Sequence, residues 1–273
     1  MDARWSTLPY YFGGYDPEFE RYAREDLSAT IIRSTGAGLG AALSAAREAA
    51  PRFLIGGDCF TALPVIFAHR SEIENVYWFD AHGDFHDEVT TSTGFLGGMP
   101  FAALTGNACG HLLDLLGEDP VDAARCKHVG GRAWDEGEKE RMEVAGVELL
   151  LTPPPHLDRP SHIHIDVDAL DVSEVPNVTH PAPGGLSTAN MAAFLETNAD
   201  WITSVSVSAW IVETKPPAAC VHLLEHLIRA LGQGSQCSPD KRIDPTRRSA
   251  RSDWKGTARR SCRESQEYHA RRE

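Results

Sequence analysis

No stretch of this sequence approaches the roughly 18 consecutive apolar residues that a membrane-crossing helix requires. The opening residues, MDARWSTLPYYFGGYD, lack the basic-then-apolar order of a secretory signal. Six cysteines (Cys59, Cys109, Cys126, Cys220, Cys237, Cys262) are scattered without a CxxC pair, so neither a zinc knuckle nor a disulfide framework is indicated. Positive charge is also short. Lys and Arg number 26 against 39 Asp and Glu, a net charge of −13 that argues against nucleic acid as a general partner, because phosphate contacts need clustered cations. What remains, in 273 residues of which 42% are hydrophobic and 24% charged, is the make-up of a globular protein expected in the cytoplasm, with no membrane partner.

The charge is unevenly spread. From Gly232 to Glu273 there are 11 Lys and Arg against 6 Asp and Glu, with almost no aliphatic residues and no 3.6-residue apolar stripe. This segment reads as a basic, disordered tail (232–273), leaving residues 1–231 as the folded unit. Within that unit short apolar runs alternate with amphipathic stretches. Strands are expected at Arg52–Ile55, Asn75–Asp80, Cys126–Val129, Val147–Leu151, His162–Asp168 and Ile202–Val212. Helices are expected around Gly38–Ala49, Thr61–His69, Phe101–Leu104, Asp135–Glu143, Ser187–Asn198 and Ala218–Leu231. Alternation of this kind implies crossover connections and a mainly parallel sheet covered on both faces. Ligands of such sheets bind beyond the carboxyl ends of the strands, so polar residues there are the place to look for chemistry.

Two strand ends are unusual. In NVYWFDAHGDFHD, Asp80, His82, Asp84 and His86 are spaced by two and share one side as long as the chain stays extended. In SHIHIDVDALD, His162, His164, Asp166 and Asp168 fall on one face, with Ile163, Ile165 and Val167 on the other. A buried parallel strand should be apolar on both faces, and unpaired carboxylates there are costly unless a cation neutralises them. A single Asp-x-His pair is more often a turn or a cap than a ligand. Two acidic sets at two strand ends favour a divalent metal, with Mn²⁺, Fe²⁺ and Zn²⁺ all suited to carboxylate and imidazole. Four acids exceed a structural zinc site and fit a two-metal centre. A third segment, RFLIGGDCFTALPV, ends a strand in Gly56-Gly57-Asp58-Cys59. There Cys59 is either a buried apolar residue or a group aimed at the same edge.

Taken in order, GGDC, DAHGD, HIDVDALD and VET resemble the signature segments of the arginase–agmatinase (ureohydrolase) family, over about Arg52 to Pro216. GFLGGMPFAALTG and PAPGGLS are similar to its connecting segments. The resemblance implies an arginase-like α/β fold, three-layer α/β/α with a central mainly parallel sheet, and hydrolysis of guanidino compounds at a dinuclear manganese centre. Residue by residue it implies Asp80, His82, Asp84, Asp166 and Asp168 as metal ligands, with Asp80 and Asp166 bridging two Mn²⁺ ions. Cys59 stands where the family has a histidine ligand, and as a softer donor it is expected to weaken one metal position. Glu213 matches the glutamate that pairs with the guanidinium, and Asp84 the residue that handles the proton of the attacking water.

The segment HVGGRAWDEGEKE places Asp135 and Glu138 on positions that recognise an α-ammonium group, while His86 and Thr93 fall where arginases contact the α-carboxylate. The expected partner is therefore a small-molecule amino acid related to arginine. Gly97 replaces a histidine that serves as proton shuttle in arginases, Trp210 replaces an aspartate and His164 a serine. These departures, with GGDC, resemble the family members that act on Nω-hydroxy-L-arginine. An N-hydroxyguanidine is less basic, and its carbon more electrophilic, than that of arginine. Ordinary arginase activity, a one-zinc deacetylase-like amidohydrolase and a non-catalytic homologue remain alternatives at this point, and the oligomeric state stays undecided.

Overall fold

The structure, a computed structural model, describes residues 5–27, 29–176 and 178–208. Trp210, Glu213, the helix expected over Ala218–Leu231 and the basic tail lie outside the described residues, as does the end of the strand expected over Ile202–Val212.

The described chain opens with β1 (Ser6–Leu8), a two-stranded hairpin of β2 (Tyr10–Tyr11) and β3 (Gly14–Tyr15), α1 (Pro17–Tyr22) and β4 (Thr30–Ile31). Then follow α2 (Leu39–Ala49), β5 (Phe53–Gly56), α3 (Ala62–Ala68), β6 (Asn75–Phe79), α4 (Pro100–Leu104), α5 (Gly110–Leu116), β7 (Cys126–Val129), α6 (Glu138–Ala145) and β8 (Glu148–Leu150). The last three are β9 (Ser161–Asp166), α7 (Thr188–Asn198) and β10 (Ile202–Ser208). Eight strands form one sheet in the order β4-β1-β5-β10-β9-β6-β7-β8, and every adjacent pair is parallel.

Side-chain alternation along the strands divides the interior into two cores. On β6, Val76 and Trp78 join one core with Leu43 of α2, Ile66 of α3, Phe101 of α4 and Leu113 of α5. Tyr77 and Phe79 join the other, with Phe19 of α1 and Met191, Phe194 and Leu195 of α7. A sheet apolar on both faces has to be covered on both, which gives the expected three-layer α/β/α arrangement. Local signals agree with it. The Ala-rich α2 buries Ala42, Leu43 and Ala46 along one stripe and stops at Ala50 in the left-handed region. Ser187 caps α7 by accepting the Asn190 N–H. Four central strands, β5-β10-β9-β6, direct their carboxyl ends at one edge of the sheet, and the acidic motifs sit there.

Two local expectations need correction. The chain leaves β6 at Phe79, so Asp80, His82, Asp84 and His86 do not alternate along a strand. Asp84 instead adopts a left-handed backbone (φ 53°), and its carbonyl accepts the N–H groups of Phe101 and Ala102. Likewise β9 ends at Asp166, and Val167–Ala169 form a 3₁₀ turn capped by the Asp166 carboxylate. Turn geometry, rather than a shared strand face, gathers these side chains.

Candidate metal centre and its pocket

Each acid at the sheet edge is oriented by the backbone that follows its own or a neighbouring strand. Asp80 accepts the His82 N–H on Oδ1 (2.8 Å) and the Trp78 indole N–H on Oδ2 (3.2 Å). Asp166 accepts the Asp168 N–H on Oδ1 (2.9 Å), and Asp168 accepts the Ala81 N–H (3.1 Å), tying the ends of β9 and β6 together. His82 places Nδ1 3.0 Å from Asp168 Oδ2 and 3.7 Å from Asp80 Oδ1. From the end of β5, Cys59 donates its thiol to Asp166 Oδ2 (2.9 Å) and lies 3.1 Å from the Ser208 hydroxyl of β10. The neighbouring Asp58 serves structure: it accepts the N–H groups of Phe12 (2.6 Å) and Phe60 (2.9 Å).

This cluster is electrostatically incomplete. Asp80, Asp84, Asp166 and Asp168 are all buried. Among the described residues, Asp84 Oδ2 is buried without a hydrogen-bond partner. Burial, reinforced by the other carboxylates, pushes the acids of Asp84 and Asp166 well above the usual carboxylate range, and burial with Asp168 raises Asp80 to about 6. Burial and the same acids hold the Cys59 thiol protonated. Burial pulls His82 down, but its hydrogen bonds to Asp168 and Asp80 outweigh this and lift it to about 11. An imidazolium thus supplies positive charge where a divalent cation would otherwise do so.

The donor set fits divalent metal. Ligand atoms of Cys59, Asp80 and Asp84 lie within 4.8 Å of one another, as do those of Asp80, His82 and Asp168. Asp80 belongs to both groups, the sharing that two adjacent ions require. Carboxylate oxygens and one imidazole suit a hard or borderline ion such as manganese, whereas the protonated thiol is the poorest donor of the set.

The acids open onto a cavity of about 240 Å³. Cys59, His82, Asp84, Asp166 and Asp168 line its floor, and His86, Thr93, Asp135 and Glu138 also face it. His86 Nε2 is 3.1 Å from Asp135 Oδ2. Glu138 is used differently from expectation: its carboxylate accepts the N–H groups of Phe85 (2.9 Å) and Asp135 (3.2 Å), bracing the two loops against each other. Gly83 makes room for it, since a Cβ there would lie 2.2 Å from the Glu138 carboxyl carbon. Thr93 sits in an exposed loop and accepts the Phe95 N–H (3.2 Å). Glu213 lies outside the described residues.

Sequence reasoning missed an aromatic wall. Tyr11, Phe12, Phe95 and His180 line the cavity, with ring centroids 5.3 Å apart for Phe12–Phe95 and 5.5 Å for Phe95–His180. The Phe95 ring covers Gly97, where a Cβ would come within 2.3 Å of it. Only the odd histidine in the THPAPGG stretch hinted at His180.

Comparison with known proteins decides the family. The family model for arginases matches residues 33–222. The chain belongs to the arginase family. It is similar to the arginase of Bacillus subtilis, 27% identical over 60% of this chain and 61% of that protein, so the match spans less than two thirds of that relative. It is also 30% identical to the N(omega)-hydroxy-L-arginine amidinohydrolase of Streptomyces lavendulae, over 72% of this chain and 73% of that one. The crystal structure of arginase from Bacillus subtilis has the same fold, with a TM-score of 0.64 at 23% identity over 82% of this chain and 97% of that chain. Among the described residues no helix is long and apolar enough to cross a membrane.

Proposed function

We propose that this arginase-family chain is a metal-dependent amidinohydrolase that converts Nω-hydroxy-L-arginine to L-ornithine and hydroxyurea. The observation that carries the reading is the orphaned Asp84 carboxylate oxygen, which faces a cavity between two ligand groups that share Asp80. Cys59, Asp80, His82, Asp84, Asp166 and Asp168 would hold two manganese ions. When bound, such ions act as Lewis acids that make a water nucleophilic near neutral pH.

The remaining work falls to the chain. Water adds to the guanidino carbon, and Asp84, with a free acceptor oxygen, takes its proton and passes it to the departing ornithine nitrogen as the carbon–nitrogen bond breaks. Glu213 is assigned to orient the guanidine head by bidentate contact. His86 and Asp135, paired across the far wall, are assigned to the α-carboxylate and α-ammonium groups, with Thr93 beside them and Glu138 holding Asp135 in place.

Two features support the hydroxylated substrate over arginine. The Streptomyces lavendulae relative carries that activity in its name. The Phe95 ring also occupies the space in front of Gly97, so that wall of the pocket is apolar and offers no proton to a strongly basic amine. An N-hydroxyguanidine is less basic and demands less proton delivery. The test is ornithine release by manganese-reconstituted protein given Nω-hydroxy-L-arginine or L-arginine at matched concentration. Strong preference for the first, with hydroxyurea as co-product, is expected. Equal or better turnover of arginine would make the chain an ordinary arginase, the second reading that its Bacillus relatives favour.

A further inference from the structure

The first turn of α6 grips the loop after β6 from both sides. Glu138 accepts the Phe85 N–H, and one turn later Arg141 donates Nε to the Phe85 carbonyl (3.3 Å). The same guanidinium places a terminal nitrogen 3.0 Å from His86 Nδ1, and another bonds the Glu136 carbonyl (3.4 Å). A guanidinium carries only donors, so Nδ1 has to offer its lone pair. The Thr90 hydroxyl, 3.3 Å from the same nitrogen, is able to donate there as well. The ring hydrogen is therefore left on Nε2, which faces Asp135 Oδ2 at 3.1 Å. His86 itself is buried, whereas the Asp135 side chain is 72% exposed.

We infer that Arg141 is a positioning residue for amino-acid recognition: it locks His86 as the Nε2–H tautomer, so that the pocket wall presents an N–H donor next to an exposed carboxylate. That pair is complementary to a zwitterion, with a ligand carboxylate taking the His86 N–H and a ligand ammonium taking Asp135. The inference rests on the amino-acid reading above and adds that selectivity depends on a side chain outside the cavity lining. Without Arg141 the ring is free to flip or to carry its hydrogen on Nδ1. Nε2 then becomes an acceptor facing another acceptor, and the wall loses its donor.

The test compares full-length Arg141→Met and Arg141→Lys with the wild type. Steady-state kinetics on Nω-hydroxy-L-arginine and on agmatine, which lacks the carboxylate, should show KM for the amino acid rising about tenfold in Arg141→Met, as expected for one misplaced charge-assisted hydrogen bond. Its kcat should change by less than about twofold, agmatine kinetics should not move, and Arg141→Lys, still a donor, should recover most of the loss. An unchanged KM, or kcat falling alike for both substrates, overturns the inference. Nitrogen NMR of histidine-labelled, substrate-free protein, assigned with His86→Asn, should give the Nε2–H signature in the wild type and Arg141→Lys but not in Arg141→Met. Wild-type protein inactive on both substrates would remove the hydrolase reading. The nitrogen signature then decides alone, and the same His86 tautomer with and without Arg141 overturns the inference.

Discussion

Two buried polar sets share the middle of this sheet, and they are finished differently. Between β9 and β10 the His162 ring lies between the Ser204 and Ser206 hydroxyls (2.8 and 2.9 Å), and His164 reaches Ser206 and Ser208 (2.8 and 3.4 Å). Every imidazole nitrogen there has a partner. Burial holds both rings neutral, with His162 lowered to about 3. At the carboxyl end of the same strands, four buried acids have a single adjoining imidazolium and one orphaned oxygen. The first set is closed by its own hydrogen bonds and is structural. The second is closed only when something cationic arrives. A buried polar group is therefore informative about function when its partners do not add up.

The comparison breaks most visibly with one substitution on each side. Asp84→Asn should lower kcat by roughly 10³-fold, the scale of a lost general base, yet leave the metal-free melting temperature unchanged or raised, since it removes one of four repelling carboxylates. Ser206→Ala should do the opposite. It leaves one nitrogen on each of two buried histidines unpaired and costs about 2–4 kcal/mol of unfolding free energy, with turnover retained. Denaturant titration alongside ornithine assays reads both, and a matching pattern in the two variants would erase the distinction.

A pH series sharpens it. A histidine whose folded pKa is depressed binds fewer protons folded than unfolded, so its stabilisation is complete above about 6.5 and declines as pH falls toward the folded value. His128, lowered by burial to about 4, and His162 should thus weaken the fold between about pH 6.5 and 4, by about 3 kcal/mol per ring at the acid end. Asp80 acts in the opposite sense. Its raised pKa, about 6, means that the folded state gains protons first, so stability rises as pH falls from about 6 toward the unfolded value near 4. Manganese competes for the same oxygens as those protons. The metal-induced rise in melting temperature should be largest above about pH 6 and shrink below it, and a rise independent of pH would remove these acids from the metal site.

Legibility in the sequence followed the same division. The central strands read directly because NVYWF and SHIHID are nearly continuous apolar or paired runs, and Cys126–Val129 matches its expected bounds. The edge strands β1 and β4 were not legible: three and two residues long, they owe their existence to pairing with neighbours rather than to pattern. The acids were legible from spacing, but the reason for their convergence was not. Asp84 reaches the site through a left-handed turn held by the start of α4, and Asp168 through a 3₁₀ turn, neither of which period-two spacing encodes. Glu138 bracing Gly83 and Phe85, and Phe95 lying over Gly97, are contacts between separate segments, visible only once the chain has closed.

The smallest expected effect tests the join between the two regions, where Cys59 bonds both Asp166 and Ser208. Its thiol is held protonated by burial and by the acids around it, so it has to lose a proton before it can bind metal, and it is a soft donor beside hard ones. Cys59→His would replace it with a neutral imidazole nitrogen that needs no such loss. Manganese retention through gel filtration should rise, by about tenfold in affinity, the scale of one ligand's improvement. The metal-free fold should weaken slightly as the Ser208 contact is lost. A metal content identical in both proteins would place Cys59 outside the coordination shell. Its bond to Asp166 would then be one more structural hydrogen bond, and the satisfied region would extend from the His162–Ser204 pair to the floor of the pocket.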